Sequence, residues 1–258
     1  MELLTPERFD DPRTQYGYVG AVFDQVASGE RPATVSILPS SRHVGMTRRD
    51  ARRPGFEQAV RESEEEGYPV FLRGSGGGAT AADSGTFGFS IVRPAAEDGA
   101  RSIGERYDEA ADLVLAAFGR LGVRAEVGEV RAEFCPGDHS IRHGGPEDGM
   151  KLVGIAQRLT RRATSVGGIV LVSGEERLAR VLGRVYSALE LPFRPESVGS
   201  LHRTGSGATT QEAVHAFAEE ARLRYGAVPA ALDKATLDVA RSTGHRFLAP
   251  ESSVRGRA

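Results

Sequence analysis

Two rhythms of apolar and polar positions run along this chain, one of helical period and one of strand period. Val19, Val22, Phe23 and Val26 share a helical face over 15–27, and Ser28-Gly29 closes that helix. Ser102 and Glu105 form a possible capping box, and behind it Tyr107, Ala111, Val114, Phe118 and Leu121 recur at helical spacing. A second such box, Ser173 to Glu176, leads into Leu178, Leu182, Val185 and Leu189. Residues 209–225, with Val214, Phe217, Ala218 and Ala221, predict a further helix, and Pro229 is placed to start a last one holding Leu232, Leu237 and Val239. The segment 47–66 reads as helical around 56–60, with Pro54 as a break or a start. Strand-like runs cover 33–38, 68–72, 87–92, 124–134, 140–142, 151–157 and 163–172. The later ones make an antiparallel meander whose first corner, Cys135-Pro136-Gly137-Asp138, displays the cysteine. Residues 94–99 read as a linker, 192–207 as a long loop and 251–258 as a mobile tail, which leaves 1–250 as one domain. The fold class expected is mixed α/β (α+β), with largely antiparallel sheets flanked by helices.

Composition narrows the class. The chain has 258 residues, 40% hydrophobic and 26% charged, values of a folded globular protein with a sizeable core. A formal net charge of −2 with both signs interspersed marks no nucleic-acid or membrane partner. A lone cysteine excludes an internal disulfide and fits a reducing compartment. The N-terminus lacks a basic then apolar leader and no run is long enough to span a bilayer, so a cytoplasmic location is expected.

The chemistry concentrates in three places. Arg73-Gly74-Ser75-Gly76-Gly77-Gly78-Ala79 has too few side chains to fill space, and its backbone is free to press against a ligand. Gly74, Gly76 and Ala79 match a dinucleotide fingerprint, but a strand signal follows instead of a helix, and an ordinary Gly-rich hairpin competes. Cys135 reads either as a nucleophile displayed on a loop, with a lysine across the hairpin favouring its thiolate, or as a small core hydrophobe. Spacings of four join Cys135, His139 and His143, yet turns do not converge them, and no metal site is expected. Lys151 opens a strand on which Gly154 and Ala156 leave a shallow face, or simply meets water at a hairpin end.

These residues resemble those of the lipoate-protein ligase, octanoyltransferase and biotin-protein-ligase superfamily. The loop 73–79 and the run Asp83-Ser84-Gly85-Thr86-Phe87-Gly88-Phe89-Ser90 are similar to its glycine loop and following strand. Lys151-Leu152-Val153-Gly154-Ile155-Ala156-Gln157 is similar to the element carrying its active-site lysine, and Cys135-Pro136-Gly137 to the turn of its cysteine-dependent octanoyltransferases. The resemblance implies a biotin/lipoate ligase-like catalytic domain. It makes Cys135 the nucleophile and Lys151 a lysine beside the acyl carbonyl. It places Arg73, Ser75, Gly76, Gly77, Gly78, Ala79, Asp83, Gly154 and Gln157 around the acyl group. The implied partners are lipoyl-domain proteins, such as the glycine cleavage H protein and 2-oxoacid dehydrogenase subunits, or an acyl carrier protein. No cofactor is needed for transfer, whereas the ligase alternative needs ATP and magnesium. A second alternative is a non-catalytic protein that binds acyl groups or lipoyl domains. Ala82 and Thr86 stand where the ligases usually carry His and Asn, which favours the transferase. An octanoyl chain needs a narrow apolar tunnel, for which Phe87, Phe89, Val153 and Ile155 are candidates, each equally well explained as core.

Overall fold

The structure is a computed structural model that describes residues 1–99 and 101–250; the expected tail, 251–258, lies outside them. The strands are β1 (Glu2–Leu4), β2 (Thr34–Pro39), β3 (His43–Thr47), β4 (Val70–Arg73), β5 (Thr80–Ala82), β6 (Thr86–Pro94), β7 (Glu126–Val127), β8 (Ile141–His143), β9 (Met150–Leu159), β10 (Ala163–Leu171) and β11 (Val228–Pro229). The helices are α1 (Pro12–Ser28), α2 (Phe56–Glu65), α3 (Ala95–Asp98), α4 (Ile103–Arg120), α5 (Glu175–Ala188), α6 (Thr210–Tyr225) and α7 (Lys234–Thr243).

Eight strands form one sheet in the order β11-β1-β2-β6-β10-β9-β8-β7, and β4-β3-β5 form a second. The centre of the large sheet is antiparallel, with Gly88 opposite both Leu38 and Ile169, and Ile169 opposite Gly154. Strand alternation then divides the sheet into two unlike faces. Phe87, Phe89 and Ile91 turn to the face covered by α4 and α6, where Phe87 and Phe89 pack on Phe217 at 5.0 and 5.4 Å between ring centres. Gly88, Ser90 and Val92 turn to the opposite face, under α1. The small sheet packs with α2 and α5 around Val44, Met46, Phe56, Val70, Leu178 and Val181. No helix among the described residues is long and apolar enough to cross a membrane.

The capping box opening α4 forms as its sequence predicts, with Ser102 and Glu105 each satisfying the other's backbone N–H. Four local expectations are corrected. Residues 124–134 are not a strand beyond β7, because Gly128 and Ala132 take positive φ (154° and 52°) and fold the chain into turns. The cap of α5 is Gly174 at φ 79° with no side-chain bond, so Ser173 makes no box. Pro229 ends up in β11, and Asp233 caps the last helix by accepting the Thr236 N–H at 2.8 Å. The expected linker 94–99 contains the single turn α3. The loop 192–207 stays on the body of the fold, where Gly199 donates to the Lys151 carbonyl at 2.9 Å.

Candidate active site

A cavity of about 260 Å³ lies between α1 and the sheet face that carries the small residues. Gly88, Ser90, Gly154, Ala156 and Gly167 line it from the strands; Tyr16, Val19, Gly20 and Phe23 roof it from α1; Arg73, Gly74, Ser75 and Cys135 stand at one end. Of the four apolar candidates, Phe87 and Val153 take their alternative reading and belong to the core on the other face. Phe89 and Ile155 touch the lining but pack in that same core. The floor is therefore made by missing side chains. That leaves room for a slender apolar guest.

Cys135 is buried, 8% exposed, which corrects its expected display at a turn. Its backbone has φ 44°, and its Sγ lies 3.2 Å from the Gly78 N–H and 3.5 Å from Arg73 Nη2. A Cβ on Gly77, where φ is 102°, would sit 2.4 Å from that sulfur, so the glycine is required by the close approach. Arg73 also binds Ser75 Oγ (2.8 Å) and the Gly78 carbonyl (2.6 Å), folding the glycine loop over the thiol. Tyr186 of α5 joins the two loops by accepting the Cys135 N–H at 2.5 Å and donating to the Ala79 carbonyl at 3.0 Å. Its burial, reinforced by the Cys135 charge, lifts the phenol well above its usual range.

Lys151 does not meet water: it is 0% exposed. It also does not meet the thiol. Its ammonium donates to Glu133 Oε1 (2.8 Å), the Phe134 carbonyl (2.9 Å) and the Cys135 carbonyl (2.7 Å). The donors on the thiol are instead Gly78 and Arg73.

The remaining expected residues divide. Arg73, Ser75 and Gly154 line the cavity; Gly76, Gly77, Gly78 and Ala79 build the loop behind it. Asp83 is turned away, accepting from Gly85 N–H (2.8 Å), Arg177 (3.0 Å) and the Tyr68 hydroxyl (3.2 Å), and so fixes the turn into β6. Gln157 donates to the Ile103 carbonyl at 2.7 Å, and its own carbonyl accepts from Gly76 at 3.3 Å, anchoring the loop from outside the cavity. His139 stacks on Tyr107 with ring centres 4.3 Å apart, and His143 bonds the Arg124 carbonyl, so neither joins Cys135.

Sequence reading missed Glu133, Tyr186, Tyr16 and His43. A tyrosine on the apolar stripe of α5 was a readable signal, since a buried hydroxyl needs a partner. Glu133 gave none, because it stood inside a segment read as a strand. His43 lines the cavity beside the Tyr16 ring, 5.0 Å away, and burial lowers its imidazole to about 4 against the opposing bond to the Ser41 carbonyl.

Residues 11–222 match the lipoyl protein ligase A/B catalytic domain. An octanoyl-[GcvH]:protein N-octanoyltransferase of Geobacillus kaustophilus is 29% identical over 164 residues, 64% of this chain and 56% of that one. A lipoyl-[GcvH]:protein N-lipoyltransferase of Listeria monocytogenes is 28% identical over 56% of this chain and 50% of that one. The chain thus spans about half the length of these two relatives. A lipoate-protein ligase A crystallised with ATP shares the fold, with a TM-score of 0.73 at 19% identity over 95% of this chain and 94% of the other.

Proposed function

This chain belongs to the lipoyl protein ligase A/B catalytic-domain family, and from that premise we propose that it is an acyltransferase. It moves an octanoyl or lipoyl group from a carrier protein to a lysine of a lipoyl domain, through a thioester on Cys135. The observation that carries this reading is the Cys135 thiol at one end of the apolar cavity, in reach of the Gly78 N–H and the Arg73 guanidinium.

In the first half-reaction the thiolate attacks the acyl carbonyl while the chain lies along the Gly88–Gly154 floor. The S–C bond forms, the bond to the donor breaks, and the proton that the Cys135 thiol gave up leaves on the donor's amine or thiol. Backbone N–H groups of the glycine loop and the Arg73 charge stabilise the developing oxyanion. In the second, the acceptor's lysine amine attacks the thioester, the N–C bond forms, the S–C bond breaks, and the amine's proton returns to the Cys135 thiol. Two easier steps replace one hard one. The names of the two bacterial relatives support the same donor and acceptor chemistry. Transfer draws on the donor's own bond and needs neither ATP nor magnesium; the runner-up, an ATP-dependent lipoate or biotin ligase, needs both.

The test is intact mass after incubation with an octanoylated carrier and no ATP, beside a Cys135→Ser control. The expected result is an octanoyl adduct that hydroxylamine removes and the control lacks. An adenylate formed only from ATP and free acid, equally by the control, moves the assignment to a ligase; no adduct in either leaves a binding protein.

A further inference from the structure

Resting on the acyl-transfer reading, we propose that Arg48, Arg49, Arg52 and Arg53 form a docking surface for the acidic face of a carrier domain, beside the Cys135 end of the cavity. In sequence the run 48–53 holds four arginines and one aspartate. The fold takes the aspartate out of play. Asp50 is 2% exposed, and one of its oxygens accepts the Thr47 N–H at 2.9 Å and the Thr47 hydroxyl at 2.8 Å. Arg48, Arg49 and Arg52 are exposed, and Arg53 is half-buried with its Nε unpartnered. No ion pair or side-chain hydrogen bond among the described residues uses any of the four guanidinium groups. The helix that follows the run, α2, commits Glu62, Glu65 and Glu66 to Arg184 of α5 instead.

The place of the cluster ties it to the chemistry. Thr47 lies opposite Arg73 in the parallel pair of β3 and β4, and Arg73 reaches Cys135 Sγ at 3.5 Å. A Cβ on Gly55 would sit 1.8 Å from the Ala188 carbonyl, so the chain leaving the run is pressed on the end of α5, whose Tyr186 holds the Cys135 N–H. The Asp50 charge is felt there too: after burial and the Cys135 charge, it is a further cause of the raised Tyr186 phenol. Both substrates of the proposed transfer are proteins, and each must bring one side chain to this thiol. With a net charge of −2 the molecule as a whole attracts neither an acidic protein nor a nucleic acid. Four uncompensated cations beside the thiol supply a local field that acts before contact and turns an acidic domain to one orientation.

The experiment compares wild type with two triple variants, Arg48→Gln/Arg49→Gln/Arg52→Gln and Arg48→Lys/Arg49→Lys/Arg52→Lys. Acylation of Cys135 is followed from an octanoylated lipoyl domain and from octanoyl-N-acetylcysteamine, a small thioester with no protein surface. Binding of the unacylated domain is measured beside it. The expected result is that the Gln variant raises KM for the domain by about 10-fold or more, with kcat and the rate with the small thioester unchanged, while the Lys variant stays near wild type. Raising salt from about 0.05 to about 0.5 M should weaken the domain's binding to wild type and leave the Gln variant nearly level. Wild-type KM in the Gln variant, or an equal loss with the small thioester, overturns the proposal. So does a Gln variant that loses affinity for a DNA duplex but not for the domain. A wild type that binds the domain with this salt dependence yet is never acylated defeats the acyl-transfer reading alone, since the binding series still judges the surface.

Discussion

Tyr186 shows how much of the site rests on single side chains that lie outside the cavity lining. Its hydroxyl is shared between the Cys135 N–H and the Ala79 carbonyl, so it couples the thiol to the glycine loop that covers it. Tyr186→Phe keeps the ring packed on Phe193, 5.1 Å away between centres, and deletes both bonds at once. Two buried backbone groups lose their partner, at a cost of about 1–3 kcal/mol each, and the thermal midpoint is expected to fall accordingly. Octanoylation should slow by about 10-fold or more beyond that, because a small misplacement of reacting atoms is costly. A lower midpoint with wild-type transfer would confine Tyr186 to stability. The cysteine itself was legible in the sequence as unusual, standing alone beside Pro136-Gly137. What surrounds it was not: Lys151 was legible as important, but its partners come from residues 16 to 18 positions away, through turns that carry no periodic signal.

At the scale of elements, periodicity reveals that a strand alternates but not which face meets what. The run through Phe87, Phe89 and Ile91 was readable as a strand, and the bulky residues were the natural candidates for gripping a chain. In the structure they anchor α6, and the cavity takes the opposite face, where Gly88, Ser90, Gly154, Ala156 and Gly167 leave the space open. Nor did local alternation over 124–134 survive, because the positive φ values at Gly128 and Ala132 are set by the turn that delivers Glu133 and Cys135 to Lys151. The floor can be filled by design. A Cβ on Gly88 would find its nearest neighbour, the Gly168 carbonyl, at 3.8 Å, so a side chain there fits the backbone and projects into the cavity. Gly88→Leu should therefore leave the fold intact and shorten the guest. Each methylene displaced forfeits about 0.8 kcal/mol of burial, so octanoyl transfer should drop by about 10-fold or more while butanoyl transfer persists. Rates across a series of acyl carriers check this; an unchanged chain-length profile would remove this floor from the acyl site.

For the whole molecule, the seam between the small sheet and α1 predicts how stability depends on pH. His43 of β3 meets Tyr16 of α1 edge-on at 5.0 Å, Phe71 lies edge-on at 6.2 Å, and Tyr16 stacks on Phe71 at 4.4 Å, so an imidazole is sealed among rings where the two layers join. Burial lowers it from 6.5 to about 4, more than the Ser41 carbonyl raises it. The sign follows from proton counting. Between about 4 and 6.5 the unfolded chain binds a proton at this site that the folded chain refuses, so stability rises with pH across that window and is complete above it. Near its lower end the loss reaches about 3 kcal/mol, and by pH 5 about 2 kcal/mol. Burial raises Asp98 and Glu220 but their hydrogen bonds outweigh it, and hydrogen bonds likewise hold Asp233 below its usual range, so all three lose their contributions only at the acid end, below the unfolded carboxylate values. Urea midpoints between pH 7.5 and 5 should therefore fall for the wild type and stay nearly level for His43→Leu. A variant that falls as steeply as the wild type would place the titrating group elsewhere. A level variant that still transfers octanoyl groups would show that the seam serves the fold, while the chemistry is set across the cavity at Cys135.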